Sequence, residues 1–144
     1  MTAVKRRAFT PFSRMDMYNL VNDVGSYPLF LPWCKKTEIH SVADNHMQAR
    51  IEISKGPLNH SFVTSNSLDP GKSISLELVE GPFKRFSGSW SFEETEGGCT
   101  ICFEIDFEFD SRILGYALSA AFKPVAISMV DAFRNRASEV YAEQ

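Results

Sequence analysis

Apolar and polar residues alternate strictly along "CTICFEIDFEF": Ile101, Phe103, Ile105, Phe107 and Phe109 fall on one side, Cys102, Glu104, Asp106 and Glu108 on the other. A period of two held this long predicts a strand with one apolar and one wet face. The same alternation sets Met47, Ala49, Ile51 and Ile53 against Gln48, Arg50 and Glu52, and it aligns Ile74, Leu76 and Leu78. It also aligns Phe86, Gly88, Trp90 and Phe92. Less regular runs near 34–42, 58–68 and 3–10 fit the same spacing. Turn chemistry punctuates them at Ala43-Asp44-Asn45, Lys55-Gly56-Pro57, Asp69-Pro70-Gly71-Lys72, Glu80-Gly81-Pro82 and Glu96-Gly97-Gly98. In Asp69-Pro70-Gly71-Lys72, proline at the second place and glycine at the third predict a type II turn. The expected result is an antiparallel meander of six strands with a seventh at the N-terminus.

Two regions depart from period two. Ser13 followed by Asp16 reads as a helix start, with Met17, Leu20, Val21 and Val24 at helical spacing. Ser26 is the expected cap of a second short helix holding Pro28 in its first turn. At the other end, a long amphipathic helix is expected to begin at Asp110 or Ser111. Its inner stripe is read as Ile113, Ala117, Ala120, Ala121, Pro124, Ile127, Val130, Phe133, Ala137 and Tyr141, with a kink or break at Lys123-Pro124.

These parts predict an α+β fold. A curved antiparallel sheet of six to seven strands grips one long C-terminal helix, and two short helices form a lid. The sheet is too wide for one helix to cover: six or seven strands span about 30 Å and a helix about 10–12 Å. The sheet must therefore curl, with Gly88 as the expected bend, and one end of the grip stays open as a cavity. The crowded segment "DVGSYPLFLPWCKK" supplies its roof through Tyr27, Phe30, Leu31 and Trp33. Phe62, Phe86, Trp90, Phe103 and Phe107 would line it from the sheet, and Phe122, Val125 and Met129 from the helix.

Composition changes this picture little. The chain has 144 residues, 44% of them hydrophobic and 23% charged, which suits a single domain over residues 1–144. Twelve phenylalanines stand out. A net charge of -3 argues against DNA binding by bulk charge. Local basic clusters exist at Lys5-Arg6-Arg7, Lys35-Lys36 and Lys84-Arg85. No run reaches the ~20 apolar residues of a membrane span and none resembles a signal peptide. With three cysteines, an odd number, a reducing cytoplasm with free thiols is expected. Cys99 and Cys102 have C-x-x-C spacing, but residues three apart on a strand face opposite ways, so no metal or redox pair is expected. His40, His46 and His60 lack metal-ligand spacing, and no hydrolase elbow or phosphate loop occurs. An enzyme is therefore not expected.

The block V-x-D-V-x-x-Y-P-x-F-L-P is carried by Val21, Asp23, Val24, Tyr27, Pro28, Phe30, Leu31 and Pro32. Gly81-Pro82-Phe83 and the G-x-W-x-F block of Gly88, Trp90 and Phe92 follow in order. Together they resemble the coenzyme Q-binding/START-like (polyketide cyclase-like) family over almost the whole chain. The resemblance implies a helix-grip fold with a tunnel for a hydrophobic ligand: ubiquinone or another isoprenoid lipid, bound without covalent attachment by a carrier or chaperone of respiration. Such a carrier would be cytoplasmic, with transient contact at the inner membrane. The resemblance also implies the alternative known for bacterial relatives, binding to the large ribosomal subunit and blocking subunit joining. For that role Lys35, Lys36, Lys84 and Arg85 are the candidate docking residues.

Overall fold

The computed structural model describes residues 2–111 and 114–141. Seven strands, β1 (Thr2–Thr10), β2 (Cys34–Ala43), β3 (His46–Lys55), β4 (Leu58–Asp69), β5 (Ser73–Glu80), β6 (Phe83–Thr95) and β7 (Gly98–Phe109), make one sheet. Between β1 and β2 lie helix α1 (Arg14–Asn22) and a 3-10 turn (Val24–Leu29), and helix α2 (Gly115–Tyr141) closes the chain. All neighbouring strands are antiparallel, in the order β1-β7-β6-β5-β4-β3-β2. The meander thus runs from β2 to β7, and β1 returns to pair with β7. This is the helix-grip arrangement expected from the alternating pattern.

Alternation decides the core. On β7, Ile101, Phe103, Ile105, Phe107 and Phe109 are buried, with the acidic residues between them on the outer face. The turn at Asp69-Pro70-Gly71-Lys72 forms as expected: the Lys72 amide donates to the Asp69 carbonyl at 2.9 Å, and Gly71 takes φ +76°, a left-handed value that glycine adopts without a Cβ clash. No bulge falls at Gly88, the expected bend. Pairing at Gly88 is regular, opposite Leu76 and Ile105, whereas the register shifts by one residue at Val79 on β5, opposite Val63/Thr64, and at Lys84 on β6, between Phe83 and Arg85. An extra residue on one strand bends it and increases its twist.

The helices differ from expectation in detail. Ser13 caps α1 by accepting from the Asp16 amide at 3.1 Å. Ser26 caps nothing; it sits inside the 3-10 turn and its hydroxyl donates to Asp23 at 2.6 Å. Helix α2 starts at Gly115, preceded by a turn in which Ser111 Oγ accepts from the Leu114 amide at 3.0 Å. Ile113 lies outside the described residues. Its 27 residues are continuous through Pro124, a length of about 40 Å.

The inner stripe of α2 is Leu118, Phe122, Val125, Ala126, Val130, Phe133 and Ala137. Ala117, Ala120, Pro124 and Ile127 face solvent instead. Proline offers no amide hydrogen to the carbonyl one turn back, so it is best borne on the wet side, where water can serve that carbonyl. That choice sets the phase of the N-terminal half of the helix.

Candidate functional site

The cavity lies between the inner face of the sheet, α2 and the lid formed by α1 and the 3-10 turn. Val21, Val24, Tyr27 and Trp33 close it from the lid side, and Phe122, Val125, Ala126 and Met129 from α2. Ala49, Ile51, Ile53, Phe62, Ile74, Leu76, Phe86, Trp90, Phe103 and Ile105 line the sheet. Burial of Val21, Tyr27 and Trp33 fixes the lid, since each is under a tenth exposed. The Tyr27 hydroxyl donates to the Val21 carbonyl, joining the 3-10 turn to the end of α1. Burial pushes the Tyr27 phenol above its ordinary range, so it is a fixed donor rather than an acid. The Trp33 carbonyl accepts from the Ser54 amide at 2.9 Å, which pins the lid to β3.

Nine residues singled out in the sequence line this cavity: Tyr27, Trp33, Phe62, Phe86, Trp90, Phe103, Phe122, Val125 and Met129. Three do not. Phe30 leans away onto α2, with its ring 5.3 Å from that of Phe133 and the Arg136 guanidinium 5.1 Å above it. Leu31 is 1% exposed beneath the lid, where its carbonyl accepts from the Cys34 amide. Phe107 is fully buried where α2 presses on the sheet, its ring 4.8 Å from Phe122. Helix and sheet are already in contact there, so no space remains.

Asn22, Thr64 and Asn66 also line the cavity and carry no apolar signal. The Thr64 hydroxyl donates to Asn66 Oδ1 at 2.8 Å, and Asn22 Oδ1 is buried with no partner. A signal existed on β4. Alternation from Leu58 puts Thr64 and Asn66 on the inner face, where two successive polar residues are unusual.

No charged side chain is among the lining residues. Of the candidate chemical groups, His60 stays outside the lining, with its Nδ1 buried and unpartnered. Cys99 faces the core and Cys102 is half-buried on the opposite face. No cluster of three metal-ligating side chains occurs among the described residues. Such a cavity can hold a neutral, mainly apolar molecule by burial and a few hydrogen bonds.

Its size matters. The room open to the centres of water-sized molecules is about 60 Å³, while all the unfilled space, open mouth included, is about 720 Å³. The first figure measures what a guest finds ready-made, and ligand pockets usually offer ~300–1,000 Å³. The ready-made room is smaller than a long guest fills.

The basic pairs do not form one sheet patch. Lys35 and Lys36 are exposed at the start of the edge strand β2, Lys84 and Arg85 are exposed on β6, and β3, β4 and β5 lie between. Arg6 and Arg7 are on β1, the opposite edge. Lys84 Nζ lies 3.5 Å from Glu108. No helix is long and apolar enough to cross a membrane among the described residues.

Comparison with known proteins gives three relevant matches. The ribosome association toxin RatA of Escherichia coli K12 is 41% identical over 99% of this chain and 90% of its own length. The mitochondrial coenzyme Q-binding protein COQ10 homolog B of Xenopus laevis is 30% identical over 92% of this chain, which spans 57% of that relative. Among solved structures, the Zhui aromatase/cyclase from Streptomyces superposes with a TM-score of 0.85, covering 98% of this chain and 97% of that one. At 15% identity it shows the fold alone. The model of the polyketide cyclase / dehydrase and lipid transport family matches residues 10–134, and the chain belongs to that family.

Proposed function

We propose that the protein is a non-enzymatic binding protein for an apolar, tailed molecule, an isoprenoid quinone of the ubiquinone type, which it carries or shields in support of respiration. One observation carries this reading: an aromatic and aliphatic cavity without a charged side chain, closed by a lid of its own. A ligand held there is driven in by apolar burial, roughly 25 cal/mol per Å². The relative named as coenzyme Q-binding supports the quinone choice. The absence of a paired acid and base in the lining supports binding over catalysis, although a structural neighbour is named an aromatase/cyclase.

The test is mass spectrometry of an organic extract from protein purified folded from its native host. A stoichiometric isoprenoid quinone is the expected result. A lipid-free protein that also fails to bind added decylubiquinone would overturn the reading.

A second reading is favoured by the relative named as a ribosome association toxin, which matches along nearly the whole chain. In it the protein binds the large ribosomal subunit through Lys35, Lys36, Lys84 and Arg85, and the cavity ligand tunes that docking. Association through phosphate contacts would weaken steeply with salt, whereas entry of an apolar ligand would not.

A further inference from the structure

The cavity concentrates its polarity in one small set. Tyr27 has committed its hydroxyl to Val21, so the side-chain hydrogen-bonding capacity of the wall falls to Asn22, Thr64 and Asn66, together with the two indoles. Thr64 and Asn66 are 3% and 5% exposed. They sit two apart on β4 and so share its inner face, and Asn66 is flanked in the sheet by Met47 on β3 and Leu76 on β5. Asn66 spends Oδ1 on the Thr64 hydroxyl, which leaves its Nδ2 hydrogens as donors. Asn22, the last residue of α1, contributes a buried Oδ1 that has no partner among the described residues.

An unsatisfied buried acceptor weakens the fold, and Leu would suit an apolar wall better. An orphan acceptor in a wall that also carries a donor-bearing amide describes what fits. An occupant that gives a hydrogen bond would satisfy Asn22, and one that accepts would use Asn66. The occupant must also be uncharged, because no cation or anion in the lining can offset a buried charge.

Resting on the reading of the cavity as a lipid site, we infer that it recognises a neutral hydroxyl-bearing head on an apolar tail, an alcohol or phenol, with Asn22 accepting from the hydroxyl and Asn66 as a further donor in the same wall. A quinone in its reduced, dihydroxy form fits this description, and its oxidised form, which has no donor, leaves Asn22 unsatisfied. Carboxylate- and phosphate-headed lipids are excluded from the cavity.

The test uses three probes with one tail: farnesol, farnesyl methyl ether and farnesoate. Binding is followed by the fluorescence of Trp33 and Trp90, the two tryptophans of the chain, both in the cavity wall. Farnesol is expected to bind about fivefold more tightly than the ether, the worth of one donated hydrogen bond, and farnesoate more weakly than either. In Asn22→Leu the preference for farnesol over the ether should vanish, and the variant should melt no lower than the parent, since it loses an orphan acceptor. The comparison of probes on the unaltered protein stands even if that variant fails to fold. Equal binding of farnesol and ether, or tightest binding of farnesoate, would overturn the head-group assignment while leaving the apolar site intact. Failure of all three probes to bind would overturn the site itself and this inference with it.

Discussion

The ring of Phe30 stands 5.3 Å from that of Phe133 at an interplanar angle of 76°, an edge-to-face contact that ties the lid to the long helix. Tyr27 makes a similar contact with Phe133 at 5.4 Å, and the Arg136 guanidinium lies over the Phe30 ring. Phe133 is therefore the post on which the lid closes. Phe30→Ala should cost about 2 kcal/mol of stability, below the range for a fully buried Phe because the ring is only half-buried. It should also speed ligand release, because Phe30 holds the lid without lining the cavity. Chemical denaturation measures the first effect and stopped-flow displacement of a quinone the second; an unchanged release rate would show that the lid opens elsewhere.

Trp90 and Phe107 should separate affinity from stability. Trp90 lines the cavity and packs 4.4 Å from Phe103, so Trp90→Phe should weaken ligand binding severalfold with modest loss of stability. Phe107 is fully buried outside the cavity, so Phe107→Ala should cost about 3–5 kcal/mol with little change in the affinity of whatever remains folded. Calorimetric titration beside thermal melts distinguishes the two.

Gly98 should tolerate no side chain. A Cβ there would stand 2.0 Å from the Thr10 carbonyl oxygen and 2.8 Å from Pro11 Cα, both backbone atoms. Gly98→Ala must push the end of β1 off β7, and it should lower the melting temperature by roughly 10 °C or more, the equivalent of a loss above about 3 kcal/mol for a domain of this size. An ordinary melt would show that this end of the sheet yields easily.

Alkaline pH should weaken the fold through its buried thiols. Burial pushes Cys34 and Cys99 up from 9.0 to about 11. Above pH 9 the unfolded chain loses these protons while the folded chain keeps them, so stability is full below about pH 9 and falls as pH rises towards about 11. Denaturation midpoints across that window should fall less steeply in the Cys34→Ala, Cys99→Ala double variant. Parallel curves would remove the thiols as the cause.

Charge reversal at Lys35 and Lys36 tests the ribosome reading. If these residues dock on ribosomal RNA, the reversed variant should sediment less with large subunits, and raising salt should do the same to the parent protein. Association insensitive to both would leave the second reading without its surface.

Much of the architecture was legible along the chain. Seven strands, their inner faces and the turn at Gly71 follow from a period of two and from local backbone sterics, which depend on near neighbours only. The apolar character of the lid was likewise legible in Tyr27 and Trp33. Ambiguity began where one residue satisfies two patterns. On α2 the alanines at 117, 120 and 121 extend a stripe as plausibly as Phe122 and Val125 do, and alanine carries too little apolar area to decide.

Tertiary structure made the remaining choices. It turned Pro124 to solvent, drew Phe30 onto Phe133 and pressed Phe107 against Phe122, because helix and sheet meet at one end of the grip and part at the other. It also brought Asn22 from the lid and Thr64 and Asn66 from β4, more than forty residues apart, into one cavity wall. The chain's own pattern determined which residues face inward. Whether an inward residue fills the core or borders a cavity was decided only by how far the curled sheet stands from its helix, a distance set by bulges and packing and written in no single stretch of sequence.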